Sequence, residues 1–73
     1  MKTKYELFDE EFRKNMSYGC MRVGQATFNS VFSVDSEIAN KLRGTEKDCF
    51  YFNDRTKAFM EEVYKKWAAE ETN

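Results

Sequence analysis

Arg22, Gln25, Asn29 and Ser33 stand at offsets of 0, 3, 7 and 11, the spacing that brings four side chains onto one face of a helix. Guanidinium, amide and hydroxyl groups in such a row exchange hydrogen bonds without titrating near neutral pH, so their chemistry is recognition rather than proton transfer. Turned inward, Gln25 and Asn29 can tie down a loop such as the one carrying Gly44 and Thr45. Turned outward, the row is a contact surface. The inward role is the stronger reading for the two amides, and the exposed edge of this corner, Arg22 with Arg43, Thr45 and Tyr51, is the better place for a partner.

Catalytic chemistry finds little support. The chain has no histidine, which removes the commonest general base and metal ligand together. Cys20 and Cys49 lack the further soft ligands that a zinc site requires, and lack the basic partner that activates a thiolate. Glu46 and Asp48 are too few oxygen ligands for a calcium loop. Glycines at 19, 24 and 44 form no phosphate-cradling pattern. The expectation is a protein that is not an enzyme, with no catalytic residue, no cofactor and no metal.

Two constellations point to nucleic acid. Ser36 to Arg43 can be read as the recognition helix of a helix-turn-helix, with Asn40 and Arg43 reaching bases and Lys41 a phosphate. Glu37 would repel phosphates there, and the corner before Ser36 is abrupt. Phe50, Tyr51 and Phe52, with Tyr18, can stack bases, but Glu46, Asp48 and Asp54 make their neighbourhood negative. Core packing is the stronger reading for these rings, and for Trp67 as the anchor of the last helix.

The elements that must position these residues follow from capping and spacing. Thr3 and Glu6 fit a capping box opening a helix over Thr3 to about Asn15, with Tyr5, Phe8, Phe12 and Met16 on one face and Gly19 ending it. A second helix is expected over about Cys20 to Ser33, its apolar face Met21, Gly24, Phe28, Val31 and Phe32, extended by Val23. Gly24 inside it costs roughly 0.5–1 kcal/mol relative to alanine, which close approach of a neighbouring helix or ring would repay. Asp35 caps a short third helix facing inward with Ile38, Ala39 and Leu42, and Gly44 stops it. Residues 45–48 read as a loop and Cys49 to Phe52 as an extended connector packing its rings into the core. Asn53 or Asp54 then caps the longest helix, to about Glu70, with Phe59, Met60, Val63, Tyr64 and Trp67 inward. Glu61–Lys65 and Glu62–Lys66 fall at i,i+4 on its wet face.

Length and composition bound the rest. Seventy-three residues make one domain near the lower limit for a self-sufficient core. The absence of proline favours uninterrupted helices over a turn-rich β fold. Twelve basic against thirteen acidic residues, well interspersed, give a net charge of −1 and no basic face for a duplex. No run is long and apolar enough for a membrane span. Free thiols in a cytoplasmic protein, monomer or homodimer, are the expectation.

Met21 to Asn29, Val34-Asp35, Arg43-Gly44-Thr45, Asp48 to Tyr51 and Asp54-Arg55 with Phe59 resemble a family of small uncharacterised proteins of bacterial and bacteriophage genomes. The resemblance spans roughly residues 21–63 and leaves the N-terminal helix outside it. It implies a cytoplasmic bacterial or phage setting and brings no activity with it.

The sequence therefore predicts an all-α fold: a small single-domain helical bundle, residues 1–73, of three main helices plus one short one. The expected core is Phe8, Phe12, Phe28, Phe32, Leu42, Phe59, Val63 and Trp67. The expected function is that of an accessory protein binding another macromolecule, a protein partner first, such as a host protein modulated by a phage. Its expected partner-binding residues are Arg22, Gln25, Asn29, Arg43, Thr45 and Tyr51. The alternative is a helix-turn-helix-like DNA binder using Asn40, Lys41 and Arg43.

Overall fold

The computed structural model describes residues 1–71. Its helices are α1 (Lys4–Ser17), α2 (Val23–Val34), the short α3 (Ser36–Leu42) and α4 (Thr56–Glu71), with a 3₁₀ turn at Asn53–Arg55 leading into α4. No strand occurs among the described residues, and the fold is the all-α bundle of three main helices and one short one. Principal extents of 37 × 29 × 17 Å leave room for two layers of helix across the thin direction.

The helix ends obey local chemistry. Thr3 and Glu6 close the capping box, the Thr3 hydroxyl accepting from the Glu6 amide at 3.2 Å and the Glu6 carboxylate accepting from the Thr3 amide at 3.0 Å. Gly19 and Gly44 take positive φ, 73° and 77°, just after α1 and α3. Asp35 alone joins α2 to α3. Its amide donates to Val31 O at 2.7 Å, and its carboxylate accepts from the Ile38 amide at 3.4 Å.

That carboxylate also sits between helices. It is 6% exposed and accepts from Lys66 Nζ at 2.8 Å, Trp67 Nε1 at 2.9 Å and Lys4 Nζ at 3.2 Å. One side chain thus caps α3 and draws α1 and α4 onto it. Burial raises the Asp35 pKa, but the hydrogen bonds from Lys66, Trp67, Lys4 and the Ile38 amide outweigh it and hold the group well below the usual carboxylate range.

One apolar cluster joins all four helices, through Phe8, Phe28, Val31, Ile38, Ala39, Leu42, Phe59, Val63 and Trp67, with Cys49 from the connector. Tyr5 meets Trp67 edge to face at 5.5 Å. Against the sequence reading, Phe32 is 40% exposed and Val23 42% exposed, whereas Ala26, Thr27 and Ser30 are buried. The buried face of α2 is rotated because α1 packs on the side with small residues. Asn15, read only as the end of α1, is buried there and donates to Ser30 Oγ at 3.0 Å, while the Ser30 hydroxyl donates to Ala26 O at 2.6 Å. Phe12 and Met60 pack against the cluster from its edge, and Met21 falls before α2.

Glu62 and Lys66 pair with residues other than each other, one of them, Glu70, again at i,i+4. Glu62 pairs with Lys47 of the loop, and Lys66 is drawn to Asp35, Glu37 and Glu70. Both Lys66 interactions with exposed carboxylates cost little to form once Asp35 has positioned the ammonium.

Candidate functional site

The candidate site begins with a missing side chain. An ideal Cβ on Gly24 would lie 2.1 Å from Cys49 O and 3.1 Å from Asn53 Oδ1, so only glycine lets the connector seat on α2. The approach foreseen for a helix or ring is thus made by a backbone carbonyl. Three atoms exploit it. The Gly24 amide donates to Asn53 Oδ1 at 2.9 Å, Cys49 Sγ donates to Gly24 O at 3.3 Å, and the Phe52 amide donates to Cys49 O at 3.1 Å.

Asn53 therefore caps α2 across the fold instead of capping α4. The reason is local. Arg22 occupies the N-cap of α2 and brings no acceptor, so a first-turn amide is left for a distant side chain to satisfy. Relieved of a capping role, the Arg22 guanidinium reaches along the connector, donates to Phe50 O at 2.8 Å and lies 5.9 Å from the Tyr51 ring centre.

The loop before the connector is shaped by Asp48 and Thr45. Asp48 accepts from the Gly44 amide at 2.7 Å and from the Phe50 amide at 3.0 Å. The Thr45 hydroxyl donates to Leu42 O at 2.6 Å and accepts from the Lys47 amide at 3.2 Å. The loop at Gly44 and Thr45 is therefore held by Asp48 and not by Gln25 or Asn29, as the inward reading of those amides had it. Gln25 and Asn29 are half-buried, and Asn29 Nδ2 donates to Met21 Sδ at 3.8 Å.

With the connector so fixed, Phe28, Asn29, Phe32, Arg43, Asp48, Phe50 and Tyr51 enclose an open groove of about 430 Å³. Phe50 closes one wall against Phe28, ring to ring at 5.7 Å. Arg43 lies over the Phe28 and Phe32 rings at 5.5 and 5.6 Å. Beside the groove, Arg55 covers the Phe52 ring at 3.9 Å. Tyr51 is 71% exposed and Phe52 47% exposed, so of the three connector rings only Phe50 packs into the molecule. The expectation that all three enter the core is corrected by the seating of Cys49 on Gly24, which turns the next residues outward.

Of the residues proposed from sequence as partner-binding, Asn29, Arg43 and Tyr51 line one groove and Arg22 stands at its edge. Gln25 and Thr45 do not line it. Of the alternative DNA-binding set, Asn40 and Lys41 are exposed on α3, and Lys41 lines a different groove with Glu37, Glu62, Lys65 and Lys66. Arg43, folded onto two rings, faces the first groove rather than joining them. Sequence reasoning missed the walls Phe28, Phe32 and Phe50 and the Arg55–Phe52 stack. Only the Arg55–Phe52 stack had a local signal, the two residues standing three positions apart; Arg43 and Arg22 meet rings far away in sequence.

Cys49 is buried and free, and burial together with the Asp48 charge pushes its thiol up to about 11, which keeps it protonated at neutral pH. Cys20 is free and exposed. Among the described residues, no group of three His, Cys, Asp or Glu side chains is placed to hold a metal ion, and no helix is long and apolar enough to cross a membrane. Compared with protein-family models, curated proteins and solved structures, the chain matches none of them.

Proposed function

We propose that this protein is a small non-enzymatic accessory module that binds a protein partner across the face formed by α2, the end of α3 and the segment 48–55. The observation that carries this reading is the composition of that face. Three arginines lie over aromatic rings, Arg22 on Tyr51, Arg43 on Phe28 and Phe32, and Arg55 on Phe52, around a concave groove. Aromatic residues and arginine are the types enriched in the buried centres of protein interfaces, and lysine and glutamate are the types depleted there. No lysine or glutamate lines the groove. A bacterial or phage cytoplasm, the setting the sequence resemblance implies, makes a host protein the partner class placed first.

Affinity capture with tagged protein from bacterial cells tests the reading, comparing the native chain with a Phe32→Ser/Tyr51→Ala variant. A partner enriched by the native chain and lost with the variant supports it. Equal enrichment by both chains removes the face from consideration.

DNA binding through α3 is less well served by the geometry. A single residue, Asp35, separates α2 from α3, where a helix-turn-helix uses a turn of about 3–4 residues. Lys41 is also set among the carboxylates of Glu37 and Glu62. Failure to retain the protein on duplex DNA at low salt eliminates that alternative.

A further inference from the structure

The groove's charges are unequally satisfied, and that inequality indicates what enters it. Asp48 directs both carboxylate oxygens to backbone amides, at 2.7 and 3.0 Å, so its charge is engaged in holding the loop. Lys4, Lys47 and Lys66 all have carboxylate partners. Among the described residues Arg43 has no ion pair and its guanidinium makes no hydrogen bond, although it lines the groove. It is already held over Phe28 and Phe32, so little side-chain freedom remains to be lost when its N–H groups find an acceptor. Arg22 adds a second positive charge at the edge, with one N–H on Phe50 O.

We propose that the groove receives a peptide segment of the partner in which an Asp or Glu lies beside an aromatic or aliphatic residue. This deepens the protein-binding reading above and rests on it. The partner's carboxylate takes the Arg43 fork, and its apolar side chain fills the space between Phe28–Phe32 and Phe50–Tyr51. Arg43 lies over aromatic walls and makes no ion pair with Asp48, the carboxylate that shares the groove, so its N–H groups are open to an anionic, partly apolar ligand. A second copy of this chain fits less well, because the groove's own carboxylate, Asp48, is already held by two backbone amides and is not free to meet the Arg43 of another copy. A nucleic-acid strand fits less well too, because it carries a phosphate at every nucleotide past exposed Glu46 and Asp54, whereas the peptide needs a single carboxylate, placed at Arg43.

Selection of a random twelve-residue peptide library on the immobilised full chain tests this, followed by titration of selected peptides against ¹⁵N-labelled protein. The expected sequences carry Asp or Glu within two positions of an aromatic or aliphatic residue and shift the amides of Asn29, Phe32, Arg43 and Tyr51. Replacing their acid with Gln or Asn, or Arg43 with Gln, should weaken binding by about 10-fold or more, as loss of a charge-assisted pair does. Arg43→Lys should recover only part of it, because the bidentate fork is gone. Selected peptides that shift the groove amides with no acid, or that bind the Arg43→Gln protein equally, overturn the acidic preference while leaving the groove as a protein-binding site. Shifts confined elsewhere, or no selected peptide, overturn both. Concentration-dependent dimerisation that perturbs these amides, or tighter binding of a short single-stranded oligonucleotide than of any selected peptide, overturns the proposal in favour of that occupant.

Discussion

Glycine can be required by torsion or by space, and this chain separates the two. At Gly24 a Cβ would overlap the Cys49 carbonyl at 2.1 Å, whereas at Gly44 it would meet nothing within 4 Å and only the φ of 77° resists it. Gly24→Ala should therefore cost about 3 kcal/mol or more, the upper range for forcing atoms into a packed site, while Gly44→Ala should cost about 1 kcal/mol. Urea unfolding followed by circular dichroism distinguishes them; equal losses would mean that the connector does not sit against α2. Asp35 supports a second prediction. Its folded-state pKa is depressed, so its stabilisation is complete above the ordinary value of 3.8 and is lost as pH falls below it. The melting temperature of the native chain should fall steeply below about pH 4. Asp35→Asn should remove about 2–3 kcal/mol at neutral pH by replacing the buried charge that Lys66, Trp67 and Lys4 share with a neutral amide, and should flatten that acid limb. An unchanged limb would show that other carboxylates govern acid unfolding.

Among the elements, α1 and α3 were legible because caps and periodicity agreed, and α2 and α4 from periodicity without a cap. Thr3 with Glu6, Asp35, Gly19 and Gly44 all act where their types place them. What stayed illegible was rotation. Phe32 and Ala26 both fit an inward face by spacing, and only the position of α1 against α2 decides that Ala26 is buried and Phe32 exposed. The same contact buries Asn15 against Ser30, a link between residues 15 positions apart that no local pattern encodes. Asn15→Ala should destabilise by about 1–2 kcal/mol, and in a double-mutant cycle with Ser30→Ala the two losses should be less than additive. Full additivity would show that the pair is not coupled. The groove was legible in part. Arg22, Asn29, Arg43 and Tyr51 converge, but Asn53 serves α2 rather than the helix beside it, because α2 has no cap of its own.

At the scale of the whole molecule, the core and the proposed contact surface share Phe28, while the groove's outer rings stand clear of the core. The cluster around Phe59, Val63 and Trp67 is almost fully buried, while Phe32 and Tyr51 are exposed. Phe32→Ser with Tyr51→Ala should leave unfolding free energy within about 1 kcal/mol of the native chain, the sum of two ordinary surface changes. A larger loss by chemical denaturation would mean that these rings belong to the core after all. The cap that Asn53 places on Gly24 has a kinetic meaning as well. This first-turn amide of α2 is held by a side chain 29 positions later, so its protection from solvent depends on the connector staying seated. Exchange of the Gly24 amide with solvent therefore reports the opening of the groove wall directly, and a bound partner should slow it by the factor by which it suppresses that opening. One hydrogen bond thus ties the start of α2 to the connector that walls the groove.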